Sequence, residues 1–149
     1  GERIESGTPE FAAMDRYARE AQRITAEINT GYHEESELAE LVGRLTGKPV
    51  PSGFRLFPPL YSDFGKNITI GSNVFINSGC CFQDQGGVTI GDGCQIGHQV
   101  VFATIDHSLD PEHRHDPLEH IIRHAIVELI RIDVIAGRTR GILQIARSY

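Results

Sequence analysis

His107, His113 and His115 lie within nine residues of one another, interleaved with Asp106, Asp110 and Asp116. Imidazole exchanges a proton near neutral pH, so this stretch has the side chains for general acid–base work. Imidazole and carboxylate together also make metal ligands, but the spacing matches no ligand motif and a solvated polar loop accounts for the cluster, so no metal site is expected. Further upstream, Asn77 and Asp84 are polar residues that follow or interrupt apolar runs. Each reads equally as a turn residue: asparagine tolerates left-handed backbone, and Asp84 stands in the polar corner Gln83-Asp84-Gln85-Gly86-Gly87.

The elements that position these residues show in the period of the chain. Between Ile68 and Ile105 an apolar anchor returns every sixth residue, as Ile70, Ile76 and Phe82, then, after two extra residues, Ile90, Ile96 and Phe102. A helix repeats near 3.6 residues and a pleated strand near 2, so a period of six means short flat runs separated by corners. Three hexads, roughly eighteen residues, make one circuit of a triangular parallel β-helix. The extra residues around Gln85 to Gly87 fit a corner loop between circuits. Ile70 should then stack on Ile90, Ile76 on Ile96 and Phe82 on Phe102, with Val74 beside Cys94 and Cys80 beside Val100 in the second inward register. Three cysteines, two of them adjacent as Cys80-Cys81, form neither a disulfide framework nor a zinc spacing, and Cys80 and Cys94 are expected as small buried hydrophobes.

Outside the repeat, Thr8-Pro9 reads as an N-cap and first turn, and Phe11, Met14, Tyr17, Ala21, Ile24 and Ile28 keep helical spacing up to Asn29-Thr30-Gly31. A shorter helix carries Leu38, Leu41, Val42 and Leu45, entered near Ser36 and closed by Gly47. The resulting division is an N-terminal helical region at 1–50, an extended Pro/Gly-rich connection at 51–66, the β-helix at 67–107, and a site loop with a C-terminal helical segment at 108–149. That last helix is expected over Leu118 to Ile135, because Asp116-Pro117-Leu118-Glu119 resembles a capping sequence and the following isoleucines keep i, i+3, i+4 spacing. The residues from Arg138 to Tyr149 fit a strand, a frayed helix or disorder equally.

The chain of 149 residues is 40% hydrophobic, enough for one domain with a core of its own. Its net charge of −6, with no Lys/Arg cluster, argues against nucleic acid or an acidic membrane as partner. No apolar stretch approaches a membrane span and the first residues lack a signal pattern, so a soluble, cytoplasmic protein is the expectation.

The run from Phe57-Pro58-Pro59-Leu60-Tyr61 through Gly65-Lys66-Asn67-Ile68-Thr69-Ile70-Gly71, then Val74-Phe75-Ile76-Asn77 and His107-Ser108-Leu109-Asp110-Pro111, resembles the maltose and galactoside O-acetyltransferases of the hexapeptide family. The resemblance extends from the N-terminal helices to about His115. It implies a mainly β, left-handed parallel β-helix, a homotrimer, and transfer of acetyl from acetyl-CoA, the co-substrate, to a sugar hydroxyl at a site between subunits. It also puts His107 on the catalytic histidine, and Asn77 and Asp84 on acceptor-contacting positions, with Asp63 as a third substrate-binding candidate. The family normally continues with further hexads, including a tryptophan-bearing segment, that hold most of the coenzyme, whereas this chain has no tryptophan. Two circuits are then expected, their open end covered by the C-terminal helix or a neighbouring subunit. Two functions compete on this reading: an acetyl-CoA-dependent sugar O-acetyltransferase, and a catalytically inactive, assembly-only hexapeptide protein.

Overall fold

The computed structural model describes residues 8–106 and the short strands Ile121–Ile122 and Ala125–Val127. Two helices come first. In α1 (Pro9–Ile28) the Thr8 side chain accepts the Phe11 N–H at 3.2 Å, proline occupies the first turn, and Ala21, Ile24 and Ile28 form the buried stripe. In α2 (Glu35–Thr46) the Glu37 carboxylate accepts the Glu34 N–H at 2.9 Å, and Gly47 ends the helix in the left-handed conformation.

Nine strands follow in β1 (Arg55–Leu56), β2 (Leu60–Ser62), β3 (Ile68–Ile70), β4 (Phe75–Ile76), β5 (Cys80–Gln83), β6 (Val88–Ile90), β7 (Gln95–Ile96), β8 (Val101–Ala103) and β9 (Ile105–Asp106), then β10 (Ile121–Ile122) and β11 (Ala125–Val127). They form three parallel three-stranded sheets, β1-β4-β7, β2-β5-β8 and β3-β6-β11, so the chain visits each sheet in turn and then begins another circuit. The register advances by twenty residues per circuit: Leu56 opposite Ile76 opposite Ile96, Ser62 opposite Phe82 opposite Phe102, and Ile70 opposite Ile90. The expected stacks are therefore present, and Phe82 lies nearly parallel to Phe102 with ring centroids 4.7 Å apart. Inward residues of all three sheets join one apolar core with α1 and α2, in which Cys80 and Cys94 are buried and not joined in a disulfide.

Corners recur with the same period. Gly53, Asn73 and Gly93, one per circuit, all have positive φ, and the Asn73 and Gly93 N–H groups donate to Ser52 O and Ser72 O in the circuit before. At Gly53 a Cβ would meet the Asn73 side chain, so this first corner requires both the left-handed backbone and the missing side chain of glycine. The left-handed asparagine is Asn73; Asn77 lies outside the positive-φ set.

The helices close the outer edge of the first circuit. α1 lies on β2 and α2 on β1. The Asn29 carboxamide donates to Leu60 O at 2.9 Å and accepts the Leu60 N–H at 2.8 Å, taking the place of a neighbouring strand. Lys48 Nζ donates to Ile68 O at 3.0 Å and to Thr69 Oγ1 at 2.9 Å, doing the same for β3.

The structure departs from the sequence reading in two places. The coil begins at Arg55, not near Asn67, because β1 and β2 already pair with β4 and β5 and so absorb much of the supposed connection. Strands, not a helix, occupy 121–122 and 125–127: β10 pairs antiparallel with β9, and β11 pairs parallel with β6 as Ala125–Val88, Ile126–Thr89 and Val127–Ile90. Ile121, Ile122, Ile126 and Val127 are β-branched, stiff at χ1 and suited to a pleated surface, and an open β6 edge offers backbone partners that a helix would leave unpaired. That face therefore carries a third strand, where two circuits and a helical cover are expected. The remainder of the expected helix and the segment after it lie outside the described residues.

Candidate functional site

The two extra residues of each circuit fall at one corner, after the sheet β2-β5-β8. In the first circuit this corner is Asp63 to Asn67, in the second Asp84 to Gly87, and in the third the chain leaves through β9. Asp63 and Asp84 thus stand on the same edge of the coil as the root of the segment that opens with His107. His107 follows β9 directly and lies outside the described residues, as do Asp110, His113, His115 and Asp116.

Each circuit pins the corner of the one before it. Asp84 is fully buried, and its carboxylate accepts from Ser62 Oγ at 2.9 Å, from the Phe64 N–H at 3.1 Å and from the Gly65 N–H at 2.6 Å. Desolvation raises its pKa above the ordinary carboxylate value, against the opposing effect of the donors from Ser62, Gly65 and Phe64. Thr104, also buried, repeats the device one circuit later: its hydroxyl donates to Gln83 O at 2.6 Å and accepts the Gly86 N–H at 2.9 Å. The first corner is braced from outside as well. Lys66 Nζ pairs with Glu20 at 3.1 Å and donates to Arg44 O at 2.8 Å, and the Phe64 ring meets Tyr17 edge-on. Gly65 packs so closely on Leu45 that a Cβ there would lie 2.6 Å from Leu45 O, at a φ of +81°.

Between these clamped residues Asp63 is exposed, its N–H donating to Phe82 O at 2.9 Å. Asn77 stands at the other edge of the same sheet, after β4. Its side-chain oxygen accepts the Ser78 N–H at 2.9 Å, and its Nδ2 donors have no partner among the described residues. The four residues of β5 separate the two corners, roughly 10 Å at 3.3 Å per residue before the turns are added. The structure thus brings Asp63 and Asp84 together and leaves Asn77 apart.

The outward face between the two edges is apolar. Tyr61, Cys81 and Val101 share one register row, and Tyr61 and Val101 are 50% and 42% exposed. Neither this row nor the clamps by Ser62 and Thr104 are visible in a six-residue period; each appears only when the sequence is written in rows of twenty. Among the described residues no group of three or more histidines, cysteines and carboxylates is arranged to hold a metal, and no helix is long and apolar enough to cross a membrane.

No family model matches the chain. Nodulation protein L of Rhizobium leguminosarum bv. viciae is 48% identical over 62 residues, 42% of this chain and 33% of that protein. A hexapeptide-repeat-containing acetyltransferase of Vibrio cholerae superposes with a TM-score of 0.72 at 31% identity, over 80% of this chain and 65% of its own. Its complex with acetyl coenzyme A gives 0.65 at 32% identity, over 83% and 64%. A galactoside acetyltransferase in complex with coenzyme A shares the fold alone, with a TM-score of 0.72 at 23% identity over 83% of this chain and 60% of that one. The chain spans about a third of the length of the first curated relatives it matches and less than two thirds of these solved structures. In its twenty-residue parallel coil, in the helices on its first circuit and in sequence, the chain is similar to hexapeptide-repeat acetyltransferases.

Proposed function

We propose that the chain is an acetyl-CoA-dependent O-acetyltransferase that moves an acetyl group to a sugar hydroxyl of the maltose or galactoside kind. The observation that carries this reading is the joint sequence and fold similarity to an acetyltransferase solved with acetyl coenzyme A. In this reading the coil is left-handed and the protein works as a cytoplasmic homotrimer, with Asn77, Asp84 and Asp63 on the acceptor side.

His107 is the general base. A sugar hydroxyl is a weak nucleophile, and an imidazole titrating near neutral pH accepts its proton as the oxygen attacks the thioester carbonyl. The C–S bond then breaks, the imidazolium returns the proton to the departing CoA thiolate, and no covalent enzyme intermediate forms. Holding both substrates in one cleft makes the encounter effectively intramolecular. N–H donors aimed at the developing oxyanion complete the requirement.

Two observations support assembly of the site from two copies. Asn77 and the Asp63 corner lie on opposite edges of one sheet, with the four residues of β5 between them. The apolar Tyr61, Cys81 and Val101 row between them offers a surface for a second copy.

A thermal shift with CoA tests the reading. A ligand at a hundred times its dissociation constant stabilises the folded form by about 2.7 kcal/mol, roughly 5 to 10 °C for a chain of this size. His107→Ala should lower turnover about a hundredfold or more while leaving the melting temperature unchanged. No shift at millimolar CoA favours the assembly-only protein, and a His107→Ala variant that loses stability but keeps its rate contradicts the assigned base.

A further inference from the structure

Asp84 has the chemistry of an acceptor contact but not the access. It is 0% exposed, and both carboxylate oxygens are occupied by donors from the first circuit. Those donors bracket one residue: the Ser62 hydroxyl precedes Asp63, and the Phe64 and Gly65 N–H groups follow it. The Asp63 backbone is thereby fixed on both sides by a single side chain, and its own carboxylate is presented outward at the edge where the His107 segment begins.

We infer that Asp84 is a positioning residue: it holds in place Asp63, the acceptor-side carboxylate of the reading above, and does not itself touch the acceptor. A carboxylate orients a sugar hydroxyl only if its oxygens sit within hydrogen-bond reach in a fixed direction. On a corner of five residues without that clamp, ordering the Asp63 side chain on each binding event would weaken the acceptor's hold. The inference rests on the acetyl-transfer reading and reassigns one of its residues.

The test is steady-state kinetics of the full chain with acetyl-CoA and either maltose or a β-galactoside, following thiol release, for Asp63→Ala, Asp84→Asn, Ser62→Ala and the pairs with Asp63→Ala. Ser62→Ala removes one of the three donors and is the milder variant should Asp84→Asn fold poorly. Asp63→Ala should raise the acceptor KM about tenfold to a hundredfold, as loss of a hydrogen bond to a charged group does. Asp84→Asn and, more weakly, Ser62→Ala should raise the same constant while the acetyl-CoA KM and kcat stay within about twofold. In the Asp63→Ala background both should have no further effect on acceptor KM, since a residue acting through another is silent once that other is gone.

Effects on acceptor KM that multiply in the double variants overturn the inference, because Asp84 would then act on the acceptor independently. So does a fall in melting temperature for Asp84→Asn and Ser62→Ala with acceptor KM unmoved. Absence of transfer by the wild-type chain is a separate result: it sinks the acetyltransferase proposal itself, and this inference with it.

Discussion

Phe82 gives the sharpest test of the stacked core. Its side chain is 2% exposed, faces inward from β5, and lies at 23° to the Phe102 ring with centroids 4.7 Å apart. Truncation to alanine removes most of a buried aromatic surface of about 150 to 250 Å², which at about 25 cal/mol per Å² corresponds to roughly 4 to 6 kcal/mol. Phenylalanine-to-alanine changes in packed cores cost about 3 to 5 kcal/mol, so about 4 kcal/mol is the expected loss. For a domain of this length that lowers the melting temperature by roughly 8 to 16 °C. Phe82→Leu, which keeps most of the volume and loses the ring stack, should cost well under half as much. With no tryptophan in the chain, urea titration is followed by far-ultraviolet circular dichroism. A loss below about 1 kcal/mol for Phe82→Ala, with an unchanged dependence on urea, would refute the argument that β5 and β8 stack their rings across the interior.

Three further outcomes are expected. Asn29→Ala leaves the outer N–H and C=O of Leu60 without their carboxamide partner and should cost about 1 to 3 kcal/mol by urea titration; a change within about 0.5 kcal/mol contradicts the clamp. Burial pushes the Asp84 carboxyl up, so the folded protein holds that proton more tightly than the unfolded chain. The contribution of Asp84 is therefore fullest below the ordinary carboxylate value near about 3.9 and falls as pH rises through the raised folded value; the melting temperature of the wild type should fall relative to Asp84→Asn across that window, and a constant difference between the two refutes it. Gly53→Ala forces a side chain into a left-handed position against Asn73, so a loss of about 1 kcal/mol or more is expected, and a neutral result in the same titration argues against the shared corner geometry.

Where like residues recur at a fixed spacing, the fold is legible in the chain. Ile70 with Ile90, Ile76 with Ile96 and Phe82 with Phe102 stack because each inward position repeats its own shape in a narrow interior. The first circuit escapes that reading because Pro58-Pro59 and the Asp63 to Asn67 corner break its hexads, although Leu56 and Ser62 still occupy the same columns. At 118–135 two signals coincide. The apolar spacing is helical while the residues are β-branched, and a waiting edge on β6 decides for strands at 125–127. For the site, residue type and place are readable and access is not. Asp84 looks like a turn residue or a ligand contact in the sequence; its burial comes from a corner some twenty residues earlier folding over it, a contact no local pattern encodes.

The two side chains that finish the helix-covered end, Asn29 against Leu60 and Lys48 against Ile68, give the solenoid a direction. A bare parallel coil is a template at both ends, and copies of it could queue head to tail into a fibre. Here an amide and an ammonium group that cannot themselves propagate a ladder already occupy edge groups of two of the three sheets at one terminus, which disfavours polymer growth there.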